Sequence, residues 1–413
     1  MGQSGDAGDG GSDEELSALA SLRLELDALR TRRHLGYRES IEWADDAGPV
    51  VDEIAAAAHS SPSRELLKLV ELAINRVVKM ILRADDSSGT IGELARQLLE
   101  THEQICDAGV ADPKALARWM VRFGFDDQDF FTVDPVRYSA ALGDNGLSAL
   151  RRAADDRSAR PDPGFAVRYT QERLAVLDGD IERIVSLLGG DLRSPHQFIR
   201  VADAMLELGR GDDALAWAKR GIESTNGWQV AKLYDIGAGV LVERGDESGV
   251  LDLRREQHRR MPSSTSYALL QQAASSIGEW ELELTDARSI LAASDLGGLV
   301  DALVADGDID AAWDAATTDA TDFGDARWAR LAGARESTDP AAALDVYLRL
   351  IGSTLRTANR RAYRSAARQL KRAQKTADAA GLSEEFDEHL AALREQHRRR
   401  PALIAILDKA GLR

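Results

Sequence analysis

The sequence predicts an all-α protein, an α-solenoid of tetratricopeptide-like helix pairs with an N-terminal helical region, and three observations carry that expectation. The first is composition: of 413 residues, 44% are apolar, only 5% are aromatic and ten are proline. Ala and Leu dominate, and these lose little or no side-chain entropy in a helix. The second is periodicity. In SRELLKLVELAINRVVKMILRA and IGELARQLLETHEQICDAG apolar residues recur at three- and four-residue steps, the spacing of one helical face. The third is a repeat. Turn glycines at Gly179, Gly211, Gly245, Gly278 and Gly307 are separated by 32, 34, 33 and 29 residues, close to the tetratricopeptide period.

Along the chain, residues 1–14 are Gly- and Asp-rich and read as a flexible tail, because so polar a stretch cannot offset the entropy of ordering. Residues 15–150 read as an N-terminal helical region. A charged segment with Pro161 and Pro163, residues 151–163, reads as a linker. Helix pairs follow over 164–355. In SPHQFIRVADAMLELGRGDDALAWAKRGIES, Ser194 or Pro195 opens a helix whose Phe198, Val201, Ala202, Met205 and Leu206 share a face. Gly209 or Gly211 then supplies a positive φ, Asp212 caps the next helix, and Ala214, Leu215, Ala218 and Ile222 form its inner face. A lone helical hairpin cannot cover its apolar stripe, so such units must stack. Basic helices occupy 356–413, and PALIAILDKAGL closes the chain as a cap.

Composition also limits function. No run approaches eighteen apolar residues and the first residues lack a signal-like apolar core, so the sequence implies neither membrane span nor export, and a cytoplasmic setting is expected. A single cysteine, Cys106, excludes an internal disulfide and a cysteine-rich zinc site. The chain has no phosphate-binding loop, nucleophile elbow or cysteine with an evident base, so it reads as non-enzymatic, with no catalytic, cofactor or metal residues assigned. His102 and Cys106 share a helical face in HEQIC, but two ligands fall short of a zinc site and the stretch reads as an ordinary packed helix. The two RGD strings, at Arg210 and Arg244, read as turn-plus-cap chemistry, not adhesion motifs. Most of the seven tryptophans read as core, the remainder as anchors for a partner.

Charge is unevenly placed. The net charge is −17, yet residues 356–413 hold fourteen Lys/Arg against seven Asp/Glu, a local +7 that leaves −24 on the first 355. Residues 356–375 contain eight basic and no acidic side chains. Arg360, Arg364, Arg368 and Arg372 repeat every four residues, with Arg361, Lys371 and Lys375 beside them, and Ala362, Ala366, Leu370 and Ala373 supply an apolar face. Such a strip suits phosphates or an acidic partner, and it equally suits a solvated face that offsets the acidic body.

Five stretches carry a resemblance: RRHLGYRESIEWADDAGPVVDEI, DPKALARWMVRFGFDDQDFF, YSAALGDNGLSALRR, FIRVADAMLELGRGDDALAWAKRGIES, and the segment from RRAYRSAARQLKRAQK to ILDKAGL. Together they make most of residues 25–413 similar to the C-terminal helical region of bacterial, chiefly actinobacterial, SWIM zinc-finger family proteins. In that family a CxCx(n)CxH finger precedes the region and is expected to bind zinc; with one cysteine, this chain offers no finger residue to match. The matching stretches are helix-packing patterns and imply no chemistry; only the family's finger, expected to bind DNA or protein as well as zinc, points toward nucleic acid. The long exposed faces of a stacked solenoid make a protein–protein interaction scaffold, as part of a multi-protein complex, the leading expectation, and the alternative is a nucleic-acid-associated regulatory factor using the basic helix 356–375.

Overall fold

The computed structural model describes residues 10–30, 32–318 and 323–413, with side chains from residue 17 onward. The described residues form twenty-one α-helices and two short π-helical stretches (Arg122–Asp127 and Val185–Gly189) joined by turns and loops, and no strand occurs among them; Leu35 and Ala84 form an isolated parallel bridge. The chain divides into two compact units, residues 1–192 with 203–210 and residues 193–202 with 211–413.

The first unit contains α1 (Gly10–Ala28), α2 (Tyr37–Ser60), α3 (Arg64–Ile81), α4 (Thr90–Asp107), α5 (Pro113–Val121), α6 (Ser139–Ser158), α7 (Phe165–Asp178) and the short α8 (Ile181–Ile184). Local chemistry starts these helices where the sequence permits. Ser63 Oγ accepts from the Leu66 amide at 3.3 Å to begin α3, and Asp112 accepts from Ala115 at 2.8 Å with Pro113 in the first turn of α5. Helices α2 and α3 both pack on α4, and α5 packs on α6. Their apolar faces meet in one core through fully buried Ile54, Ile74, Ile91, Leu98, Ile105 and Leu142. The next helix, α9 (Pro195–Glu207), is divided between the units at residue 203.

Two boundaries differ from expectation. Of the tail expected over 1–14, residues 1–9 lie outside the described residues, but Gly10 onward belongs to α1. The linker expected over 151–163 shrinks to the residues after Ser158, because α6 continues through RRAADDRS. The reason is local: Ala and Arg are strong helix formers, so the charge signals an exposed helix, and the chain leaves helical geometry only as Pro161 and Pro163 approach.

The second unit is a succession of helix pairs. It contains α10 (Gly211–Ser224), α11 (Val230–Glu243), α12 (Glu247–Arg260), α13 (Ser264–Ser276), α14 (Trp280–Ser294), α15 (Leu296–Ala305), α16 (Ile309–Thr318), α17 (Gly324–Arg335), α18 (Pro340–Leu355), α19 (Arg360–Ala380), α20 (Ser383–Gln396) and α21 (Pro401–Lys409). Each helix from α10 to α19 packs on the next in sequence, the arrangement of an α-solenoid. Gly179, Gly245, Gly278 and Gly307 all take positive φ, between 65° and 80°. In the remaining turn, Gly209 takes that role with φ 68°, while Gly211 opens α10 and Asp212 falls in its first turn. Asp246, in the second RGD string, accepts from the Gly249 amide at 2.9 Å and so caps α12.

Polar staples tie neighbouring pairs. Buried His258 of α12 meets Ser266 Oγ at 2.9 Å and the Ala287 carbonyl at 3.0 Å, joining α12, α13 and α14. Arginines do the same on the surface. Arg254 reaches Asp235 on α11 at 2.9 Å, Arg255 reaches Glu283 on α14 at 2.8 Å, Arg288 reaches Asp306 at 2.8 Å, and Arg327 reaches Asp301 on α15 at 3.1 Å. At the end of the chain, α21 packs on α19, and Arg394 of α20 donates to the Leu412 carbonyl at 2.7 Å and to Asp408 at 2.7 Å. The last helix thus caps the pair before it.

Candidate interaction surface

Helix α19 is built to carry charge outward. Asn359 Oδ1 accepts from the Ala362 amide at 2.8 Å to start it, and Gly381, with φ 71°, ends it. Its buried residues are Ala362, Tyr363, Ala366, Ala367, Leu370, Ala373, Thr376 and Ala377, which seat it against α18. At 3.6 residues per turn, Arg360, Arg361, Arg364, Arg368, Lys371, Arg372 and Lys375 all fall within an arc of about 120° on the other side. All seven are exposed. The axial span from Arg360 to Lys375 is about 22 Å.

The seven do not act alike. Arg372 is drawn into the fold: its Nε donates to Glu336 at 2.7 Å, its Nη2 at 3.2 Å, and its guanidinium lies 5.0 Å from the centre of the Tyr347 ring. Tyr347 and Thr376 donate to the same carboxylate at 2.7 and 3.2 Å. Burial opposes ionisation of Glu336, but these three donors outweigh it and hold its carboxyl below the usual glutamate range. Arg372 is therefore a structural tie. Lys371 donates to Gln374 at 3.2 Å. Arg360, Arg361, Arg364, Arg368 and Lys375 make no ion pair among the described residues. That sets them apart from Arg254, Arg255, Arg288 and Arg327 of the same unit, each of which faces a carboxylate.

Elsewhere, sequence candidates resolve into packing. His102 is fully buried, stacked on Trp119 with ring centroids 3.9 Å apart, and its Nδ1 lies 3.0 Å from Tyr138 Oη and 3.8 Å from Cys106 Sγ. Burial lowers its pKa against the opposing pull of Glu71, whose carboxylate is 3.9 Å away. Burial also pushes the Cys106 thiol up to about 12. Among the described residues no three His, Cys, Asp or Glu side chains are grouped to hold a metal ion. Trp119 belongs to the core, whereas Trp228, in the turn before α11, is 81% exposed. The Asn226-Gly227 turn signal immediately before it separates it from the tryptophans on helical segments.

No family model matches the chain, and comparison with curated proteins gives no match. Among solved structures the chain is similar to a circular tandem repeat protein with novel repeat topology and enhanced subunit contact surfaces. The identity is 14% and the TM-score 0.16, over 96% of this chain and 91% of that one. The architecture therefore rests on the helices themselves. What they define is an all-α helical-repeat protein. No described helix is long and apolar enough to cross a membrane.

Proposed function

We propose that this chain is a non-enzymatic protein-interaction scaffold that holds an acidic segment of a protein partner along the exposed face of α19, in a cytoplasmic setting. The observation behind this reading is the set of five cations on one helix face, Arg360, Arg361, Arg364, Arg368 and Lys375, left without carboxylates in a chain of net charge −17. Intramolecular partners are plentiful elsewhere, so a face without them is matched to charge supplied from outside. An acidic protein segment fits better than duplex nucleic acid. The strip is one helix long, and the acidic remainder of the chain would oppose a phosphate polyanion extending past it.

A binding titration separates the two ligand classes. Fluorescein-labelled acidic peptide, duplex DNA and single-stranded RNA of matched charge would be titrated by anisotropy across a salt series, against wild type and a variant carrying Arg360→Glu, Arg364→Glu and Arg368→Glu. The proposal expects saturable peptide binding that the variant loses. DNA or RNA binding that is tighter than peptide binding and falls steeply and linearly in log salt would replace this reading with the nucleic-acid one.

A further inference from the structure

In the first unit a cavity of about 600 Å³ opens where the end of α1 and the residues after it meet α2 and α3. Its volume lies within the range of small-molecule sites. Apolar side chains line much of it, among them Leu26, Leu29, Trp43, Val51 and Met80. Trp43 is held in place by its indole N–H, which donates to the Leu29 carbonyl at 2.9 Å. Five cations join this lining: Arg30, Arg32, Arg76, Lys79 and Arg83. No carboxylate is among the described lining residues.

Arg76 is the inner cation. Its side chain is only 17% exposed and one of its nitrogens, Nη2, is bonded to Asp27. Its Nη1 is buried with no hydrogen-bond partner. A buried guanidinium N–H left unanswered is costly, and the cost falls when an anionic oxygen accepts from it. Arg32, Lys79 and Arg83 are exposed and make no ion pair among the described residues. The cavity thus combines an apolar wall, a cationic rim and, behind them, the Arg76 guanidinium, whose buried Nη1 an anion reaches once the side chain turns outward.

We propose that this cavity binds a small anionic amphiphile, one phosphate or carboxylate head group on an apolar body, with the head on Arg76 and the rim cations and the body against Trp43, Val51 and Met80. The cavity is independent of α19, so this inference stands or falls separately from the scaffold reading. It is not legible as a motif, because the basic cluster at Arg30, Arg32 and Arg33 is far in sequence from the isolated Arg76, Lys79 and Arg83 that complete the lining.

Calorimetric titration of the full chain with octyl phosphate, octanoate, octanol and inorganic phosphate tests it. The expected result is one-to-one binding of the two amphiphilic anions, at least about tenfold weaker binding of octanol, which lacks the charged acceptor, and no comparable binding of inorganic phosphate. Arg76→Gln should weaken octyl phosphate by about tenfold or more. Lys79→Gln with Arg83→Gln, at exposed positions that leave the Arg76 pair intact, should weaken it several-fold. The α19 charge-reversal variant should bind it as wild type does. The proposal is overturned if neither anion saturates a single site below about 1 mM, if octanol or inorganic phosphate binds as tightly as octyl phosphate, if the rim double variant is unchanged, or if α19 reversal abolishes binding.

Discussion

Gly221 of α10 is where the helix-pair packing can be tested most sharply. A Cβ built there would lie 2.7 Å from Leu233 Cδ1 of α11, 2.7 Å from Phe198 Cβ and 2.8 Å from Phe198 Cγ. Leu233 could rotate a terminal methyl, but a Cβ cannot move without its backbone, so α9 must shift or the site stays strained. Gly221→Ala gains about 0.5–1 kcal/mol from helix propensity and loses about 1–3 kcal/mol to overpacking. The net runs from about zero to about 2.5 kcal/mol of destabilisation, centred near about 1 kcal/mol, which in a unit of this size lowers Tm by about 2–4 °C. Gly239 of α11 is the matched control, since a Cβ there meets nothing within 4 Å and the residue is exposed. Gly239→Ala should gain about 0.5–1 kcal/mol from propensity alone. Differential scanning calorimetry and urea unfolding of the two variants beside wild type provide the measurement. If Gly221→Ala is as stable as Gly239→Ala, which shares its propensity gain without the contacts, the close approach of α9, α10 and α11 is not as described.

Other consequences follow from caps, charges and the buried thiol. Asp246→Ala and Asp295→Ala each remove a carboxylate that accepts from a helix N-terminal amide, at 2.9 and 2.8 Å, and each should cost about 1 kcal/mol in urea unfolding. The hydrogen bonds from Arg173 to Glu207 hold that carboxyl below its usual value of 4.5 despite burial. A lowered folded pKa adds stability that is present above 4.5 and lost as pH falls through the lower folded value. Urea midpoints measured from pH 6 to pH 3 should therefore fall, and Arg173→Met should flatten that dependence; an unchanged slope would remove the pair from the acid response. Cys106 is fully buried with its thiol pushed up to about 12, so a thiol reagent at pH 8 should label it only on unfolding. Rapid labelling of the native protein would contradict that placement.

What the sequence discloses and what it conceals follows from the range of each interaction. Turn glycines are legible because positive φ strongly favours glycine, and four of the five expected positions take it. The exception, Gly209 in place of Gly211, arises where two glycines stand two apart and only tertiary packing chooses between them. The joint over 151–163 is shorter than the sequence predicts because an exposed helix of Ala and Arg has the same charged composition as a loop. The cationic stripe of α19 is legible because its period is local. The removal of Arg372 from that stripe is not, since Glu336 lies 36 residues away and is brought in by the turn after α17. The convergence of Arg76, Lys79 and Arg83 with Arg30 and Arg32 is likewise tertiary, and no periodicity signals it.

The most direct test of the scaffold account is an affinity capture from native lysate with mass spectrometry, run with and without nuclease. It would compare wild type with a variant in which Arg360, Arg361, Arg364 and Arg368 are changed to Glu, leaving Arg372 and its tie to Glu336 intact. The account predicts protein partners bearing acidic segments that survive nuclease and are lost with the charge reversal, while circular dichroism shows the helices unchanged. Partners that persist after the reversal, or nucleic acid recovered by the wild type and absent from the variant, would contradict it.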